Sequence, residues 1–198
     1  TVPKEKFEFE SIHASLGPVI GQISAKELQD KGVLAECHVN VVQLIDTVAH
    51  SNYQEELKYL VTNQARIKYM ASLLNKVKTS GNTLILVDRI SAGEALQELI
   101  PDSTFISGAI KVKERKETYD TIREGTNEVI IATYGVAAVG LNIPRIFNLV
   151  LLEPGKSFVR VIQSIGRGVR KAKDKEFLQI LYITSTCKFA KRHLTQRK

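Results

Sequence analysis

The sequence predicts an α/β domain built as a doubly wound parallel sheet with flanking helices, and three observations carry that prediction. Short apolar, β-branched runs recur from residue 83 onward: Thr83–Val87, Thr104–Ile106, Val129–Ala132, Leu149–Leu152 and Leu178–Ile183. Most are continuously hydrophobic rather than alternating, as expected of strands covered on both faces of a parallel sheet. Segments with helical periodicity fall between them, so strand and helix alternate every roughly 20–30 residues, the pattern of βαβ units.

The elements follow in order along the chain. Thr1 to Glu10 is charged and lacks both an initiator Met and an apolar signal core, so the chain is read as a piece of something longer. Ser24 to Gly32 predicts a short helix, with Ser24 as N-cap, Glu27 completing a capping box and Gly32 following the last turn. Val33 to Ile45 reads as extended. No strand ladder in residues 1–45 could close a core alone, so this stretch is expected to be the tail of a preceding domain plus a linker, with the main domain spanning 46–198. Tyr53, Leu57, Leu60, Ile67, Met70, Leu74 and Val77 keep helical spacing, with a break expected near Asn63. Ser80-Gly81-Asn82 stops that pattern before the first long apolar strand. Further helices are predicted over Ala92–Ile100, over Lys113–Arg123 with Tyr119 and Ile122 inward, and over Phe158–Lys171. The segment from Cys187 to the end predicts a basic surface helix packed by Phe189, Ala190 and Leu194, with DNA a possible neighbour.

Composition narrows the class. The chain has 198 residues, 43% hydrophobic and 25% charged, enough to bury a core. No apolar run approaches the roughly 18 residues of a membrane span, so no membrane partner is expected. Cys37 and Cys187 are far apart and lack metal-ligand spacing, which fits a reducing intracellular setting. His13, His38, His50 and His193 show no metal spacing either, and no Ser/His/Asp constellation can be argued. The net charge of +7 favours a polyanionic partner. It is concentrated late: from Lys156 to Lys198 there are twelve Lys or Arg and only two acids, Asp174 and Glu176.

The most specific motif is Gln163-Ser164-Ile165-Gly166-Arg167-Gly168-Val169-Arg170. If the helix continues through it, Gln163, Arg167 and Arg170 stand at i, i+4 and i+7, within roughly 60° of one another around the axis. One amide and two guanidinium forks then converge on a point, an arrangement suited to polyphosphate. Gly166 beside that face allows a backbone or a phosphate close approach. A second constellation precedes it. Val129–Thr133 ends a predicted strand and runs into the small-residue segment Tyr134 to Pro144, with Gly140 and Asn142 inside it. Ligands of open α/β sheets bind beyond the carboxyl ends of strands, where Thr133 stands. The triplet Gly155-Lys156-Ser157 imitates the end of a phosphate-binding loop, but the position five before Gly155 is Val150 and no glycine-rich cradle precedes it.

Taken together, these two segments resemble motifs V and VI of the superfamily 2 helicases, in order and about thirty residues apart. Thr83 to Leu96 resembles motif IV, and Ile106-Ser107-Gly108 with Arg115 and Gly125 resembles the segment between IV and V. Gly17-Pro18-Val19-Ile20 with the following Ala25–Leu34 run, and Tyr53-Gln54-Glu55-Glu56, resemble the phage UvsW and XPB-like branch. The resemblance implies a RecA-like second motor domain of an ATP-dependent DNA helicase or translocase, used in repair, recombination or branch migration and preceded by the end of the first motor domain. It implies Arg167 and Arg170 as arginine fingers on the γ-phosphate of ATP–Mg²⁺ held mainly by that first domain. Gln163 would bind ATP with Gly140 and Asn142, helping to position the fingers or the nucleotide. Gly140 and Asn142 would lie near the ribose, although many relatives have Asp at the latter position, and Thr133, Arg89 and Gly108 would touch the nucleic-acid backbone. No residue is expected to ligate a metal directly. The partners implied are single-stranded or branched DNA, or an RNA–DNA hybrid, and the first motor domain. Neither G-x-x-x-x-G-K-[ST] nor D-E-x-[HD] occurs in the chain, so it is expected to be inactive alone. A reading from another class is a non-enzymatic nucleic-acid-binding or partner-docking module with a helicase-like fold.

Overall fold

The computed structural model describes residues 6–108, 117, 120, 124–140, 145–153, 155, 158–172 and 174–196, without the side chains of 138–140, 158–160, 162 and 167. It divides into two compact units, 1–34 and 35–198. The first holds α1 (Lys6–Leu16), which buries no residue, and α2 (Ala25–Asp30). The capping box at α2 forms as expected: Ser24 Oγ accepts from Glu27 N at 3.1 Å, and Glu27 Oε2 accepts from Ser24 N at 2.7 Å. Gly32 takes the positive φ of 70° that follows the last turn.

The second unit is one six-stranded, all-parallel sheet. Its strands are β1 (Glu36–Leu44), β2 (Thr83–Val87), β3 (Ser103–Ile106), β4 (Val129–Thr133), β5 (Asn148–Leu152) and β6 (Phe177–Ser185), in the spatial order β1-β6-β5-β2-β4-β3. Every residue of β2 and β5 is buried, which is why Leu84–Val87 and Leu149–Leu152 read as unbroken apolar runs. The expected domain boundary after residue 45 requires correction. Glu36 to Leu44 pairs along its whole length with β6, so the break falls between Leu34 and Ala35. The stretch was read correctly as extended, but its hydrogen-bonding partner lies at the far end of the chain.

Two helices form where one interrupted helix was expected, α3 (Tyr53–Thr62) and α4 (Gln64–Val77). Asn63 makes the break: its extended backbone ends α3, and its Oδ1 accepts from Arg66 N at 3.0 Å to start α4. With α5 (Ile90–Leu99), these helices bury Leu57, Ile67, Met70, Leu74, Ala92 and Leu96 against Ile85, Val87, Ile131, Val150, Leu152 and Ile183 of the sheet. The alternate strand residues Leu84, Leu86, Ile130, Leu149, Leu151 and Ile180 are also buried. They lie on the opposite side, where α6 (Tyr134–Gly140) contacts β2 and β4 and α7 (Phe158–Gly168) contacts β5. Helices on both faces make the sheet doubly wound. The chain closes with α8 (Lys188–Thr195), which buries Ala190, His193 and Leu194 as its apolar spacing required. The helix expected over Lys113–Arg123 lies almost wholly outside the described residues.

Candidate nucleotide and nucleic-acid interface

Three of the predicted site residues come together because their strands are neighbours. β2, β4 and β3 run parallel, with Val87 opposite Thr133 and Ile106 opposite Ala132. Thr133 is therefore the last residue of β4, while Arg89 and Gly108 each stand two residues past the ends of β2 and β3. All three occupy the carboxyl edge of the sheet, where open α/β folds bind ligands. Thr133 is half-buried and Gly108 exposed. Arg89 leaves half its side chain in solvent, with Nε 3.6 Å from Asp88 Oδ2 and Nη2 donating to Gln54 Oε1 at 3.4 Å. Such an exposed ion pair contributes little and yields readily to a phosphate.

The second group sits on α6 and α7, which pack against each other. α6 begins directly after Thr133 and is anchored by Tyr134, whose hydroxyl donates to Leu152 O at 3.2 Å. Gly140 ends it, and Asn142 lies outside the described residues. On α7, Val161, Ser164 and Gly168 are buried, whereas Gln163 and Gly166 are exposed. A Cβ at Gly168 would lie 2.7 Å from Leu178 Cδ2, so any larger residue there would displace the end of the Leu178 side chain. A Cβ at Gly166 would meet nothing within 4 Å. Among the described residues nothing crowds that position, and the exposed Gln163 lies one turn before it on the helix.

The predicted helical alignment of Arg170 does not hold. α7 ends at Gly168, Val169 N makes the last helical bond to Ile165 O at 3.0 Å, and Arg170 lies beyond the helix, half-buried. Gln163 and Arg167 keep their i, i+4 relation on α7. Among the loop residues of the false phosphate-binding triplet, Lys156 and Ser157 lie outside the described residues. Gly155 has φ of 63°, and a Cβ there would stand 3.0 Å from the Tyr53 hydroxyl.

Sequence reasoning missed a buried charge network under the same edge. Arg66 on α4 donates through Nη2 to Glu153 Oε1 at 2.7 Å and through Nη1 to Asp46 Oδ2. Asp46 also accepts from Ser185 Oγ at 2.6 Å and from the Tyr59 hydroxyl at 3.0 Å, and Glu153 accepts from Thr184 Oγ1 at 3.3 Å. These contacts tie the ends of β1, β5 and β6 to α3 and α4. Nearby, the buried Glu56 carboxylate accepts from Phe189 N at 3.0 Å and Ala190 N at 2.7 Å, closing the start of α8. A charged residue directly after an apolar strand, as Glu153 follows Leu152, is the one signal in the sequence that pointed to this network.

Burial pushes the Asp46 carboxyl up, but Ser185, the Arg66 charge and Tyr59 outweigh it and hold it below the usual range. Glu153 goes the other way. Burial carries it up to about 7, against the pull of Arg66 and Thr184 and with the help of the Asp46 and Glu56 charges. The folded carboxyl thus keeps its proton to a higher pH than the unfolded one, so its contribution to stability is present below about 4.5 and is lost as pH rises through about 7. Relative to Glu153→Gln, the wild-type chain is expected to lose stability across that interval, read by urea denaturation at pH 5 and pH 8. A constant difference between the two proteins would contradict the assignment.

An all-parallel, doubly wound sheet with helices on both faces is the RecA-like architecture. The family model described as the helicase conserved C-terminal domain matches residues 65–172, and the chain belongs to that family. It is 25% identical over 166 residues to the ATP-dependent DNA helicase UvsW of Enterobacteria phage T4, covering 78% of this chain and 33% of UvsW. It is 26% identical over 170 residues to the pre-mRNA-splicing ATP-dependent RNA helicase PRP28 of Debaryomyces hansenii, covering 78% of this chain and 28% of that protein. The crystal structure of T4 UvsW superposes with a TM-score of 0.70 at 21% identity, over 83% of this chain and 39% of that one. S. cerevisiae Dbp5 bound to RNA and ADP BeF3 superposes at 0.63 with 16% identity, over 96% and 45%. The chain therefore spans about a third or less of the curated relatives it matches. Among the described residues, no helix is long and apolar enough to cross a membrane.

Proposed function

We propose that this chain is the second motor domain of an ATP-dependent DNA helicase or translocase acting in repair, recombination or branch migration, and that residues 1–34 are the end of the first motor domain. The observation that carries the reading is the convergence of Arg89, Gly108 and Thr133 at adjacent strand ends on the carboxyl edge of the sheet. Strand-end donors and one exposed guanidinium suit the phosphate backbone, which requires charge and hydrogen-bond donors rather than base readout. Arg167 and Arg170 would serve ATP bound chiefly by the first motor domain, with Gln163 and the Gly166 backbone beside them and Gly140 and Asn142 toward the ribose. That nucleotide, with its Mg²⁺, would supply the phosphoryl group and the energy; this chain would supply positive charge and the track for the strand. DNA is preferred over RNA on the likeness to UvsW, and an RNA–DNA hybrid remains within the same backbone chemistry.

The chain is expected to bind single-stranded DNA with little base preference and with affinity that falls as salt rises. Each phosphate contact contributes about −0.7 to the log–log slope, so Arg89→Ala should weaken binding on every sequence and make the slope shallower by about 0.7. Fluorescence anisotropy over a salt series checks both. Salt-insensitive or sequence-specific binding would contradict the backbone-tracking reading.

A further inference from the structure

The abrupt end of α7 has a cause further along the chain. A helix leaves its last four carbonyls without intrahelical partners, and the usual remedy is a glycine turn that brings later amides back. Here a buried lysine performs that task. Lys175 is 3% exposed, and its Nζ donates to Gly168 O and, at 3.2 Å, to Arg170 O. The intervening Val169 O accepts from Ala35 N at 2.9 Å. Three consecutive carbonyls, 168 to 170, are thus occupied by donors from two other segments.

Lysine is almost never this buried without a compensating partner, and an apolar side chain could fill the same space. What an ammonium adds is charge at the negative end of the helix dipole and a donor for each of two diverging carbonyls. The turn carrying it is itself anchored. Lys175 N donates to Ala172 O at 3.1 Å, Arg145 Nη2 pairs with Asp174 Oδ2 at 2.8 Å, and Arg145 Nη1 donates to Gly125 O at 3.3 Å. The main chain of Arg170 is therefore fixed by a support that does not depend on helical continuation.

We infer that Lys175 is a positioning residue for Arg170: by holding the carbonyls on either side of Val169, it sets the direction from which the guanidinium leaves the chain. This rests on the finger reading of Arg170 proposed above. Because reacting groups tolerate little displacement, a shift of about 1 Å at such a residue lowers turnover by up to about 10²-fold while leaving ground-state binding largely intact.

The titratable group acting on the ammonium is the Cys37 thiol on β1. Burial draws its pKa down to about 8, with Cys37 acting in the opposite sense.

The test uses the full-length protein. Lys175→Gln is expected to lower kcat for ATP at saturating DNA by about 10–100-fold, with KM for ATP and Kd for DNA within about threefold of wild type. In an Arg170→Ala background the same substitution should cost nothing further. Unchanged kcat, an additive loss in the double variant, or a loss shared equally with DNA binding overturns the inference. Should Arg170→Ala itself leave hydrolysis intact, the finger reading falls instead, so the two failures are distinguishable. If Lys175→Gln does not fold, the wild-type pH profile decides. Its kcat should decline above about pH 8, as the ammonium loses its proton, and the decline should be missing from Arg170→Ala. A flat wild-type profile, or the same decline in both, overturns it.

Discussion

Arg66→Ala is expected to be the most destabilising single substitution among the described charged residues, by about 3–5 kcal/mol, the range for breaking a buried ion pair from one side. Arg66 is 5% exposed, and the two carboxylates it bridges are nearly as buried. Removing it leaves the buried Asp46 carboxylate and the Glu153 carboxyl without their shared cation. Lys at 66 should recover little, because one ammonium cannot reproduce two guanidinium arms reaching β5 and the segment after β1. Replacing all three groups with apolar residues of similar volume should cost far less than Arg66→Ala, since the penalty lies in the orphaned charges rather than in the loss of the pair. Arg66 Nε, buried with no hydrogen-bond partner among the described residues, supports that view: the network is not fully satisfied even in the native fold. For a unit of this size the loss corresponds to roughly 6–20 °C in Tm, measurable by calorimetry. A change under about 1 kcal/mol, the range of exposed pairs, would show that the network is solvated.

The parts of this fold that could be read in the sequence are those whose cause is local. β2 and β5 are buried on both faces, so Leu84–Val87 and Leu149–Leu152 are apolar throughout. The break at Asn63 and the capping box at Ser24 depend on side chains within three residues of the backbone they satisfy. The failures have distant causes. β1 is an edge strand with Val39 and Val41 exposed, and only its pairing with β6 assigns it to the sheet. The end of α7 was misplaced because Arg and Lys are good helix formers, and nothing nearby announces that Lys175 will claim the carbonyls at 168 and 170. Arg66, Asp46 and Glu153 obey no fixed spacing. The strand-end residues Arg89, Gly108 and Thr133 were legible because parallel topology alone brings them to one edge.

In the full-length protein, Arg167→Ala and Arg170→Ala should each lower kcat for ATP by about 10³-fold or more, the scale for loss of an arginine finger in related phosphoryl transfer. The charge they would neutralise develops in the transition state, so the loss should fall on kcat rather than on apparent ATP affinity. Lysine at either position keeps the charge but not the planar fork, and should rescue little. The two variants need not be equal. Arg167 leaves from α7 itself, whereas Arg170 leaves from the main chain that Lys175 holds beyond the helix end.

The most direct test of the motor-domain assignment is a side-by-side measurement of kcat at saturating DNA and of Kd for single-stranded DNA on Arg167→Ala and Arg170→Ala. The assignment predicts collapsed hydrolysis with DNA affinity within about threefold of wild type in both variants. Weakened DNA binding with an unchanged hydrolysis rate at saturation would mean that α7 and the chain after it only grip nucleic acid, and would contradict it.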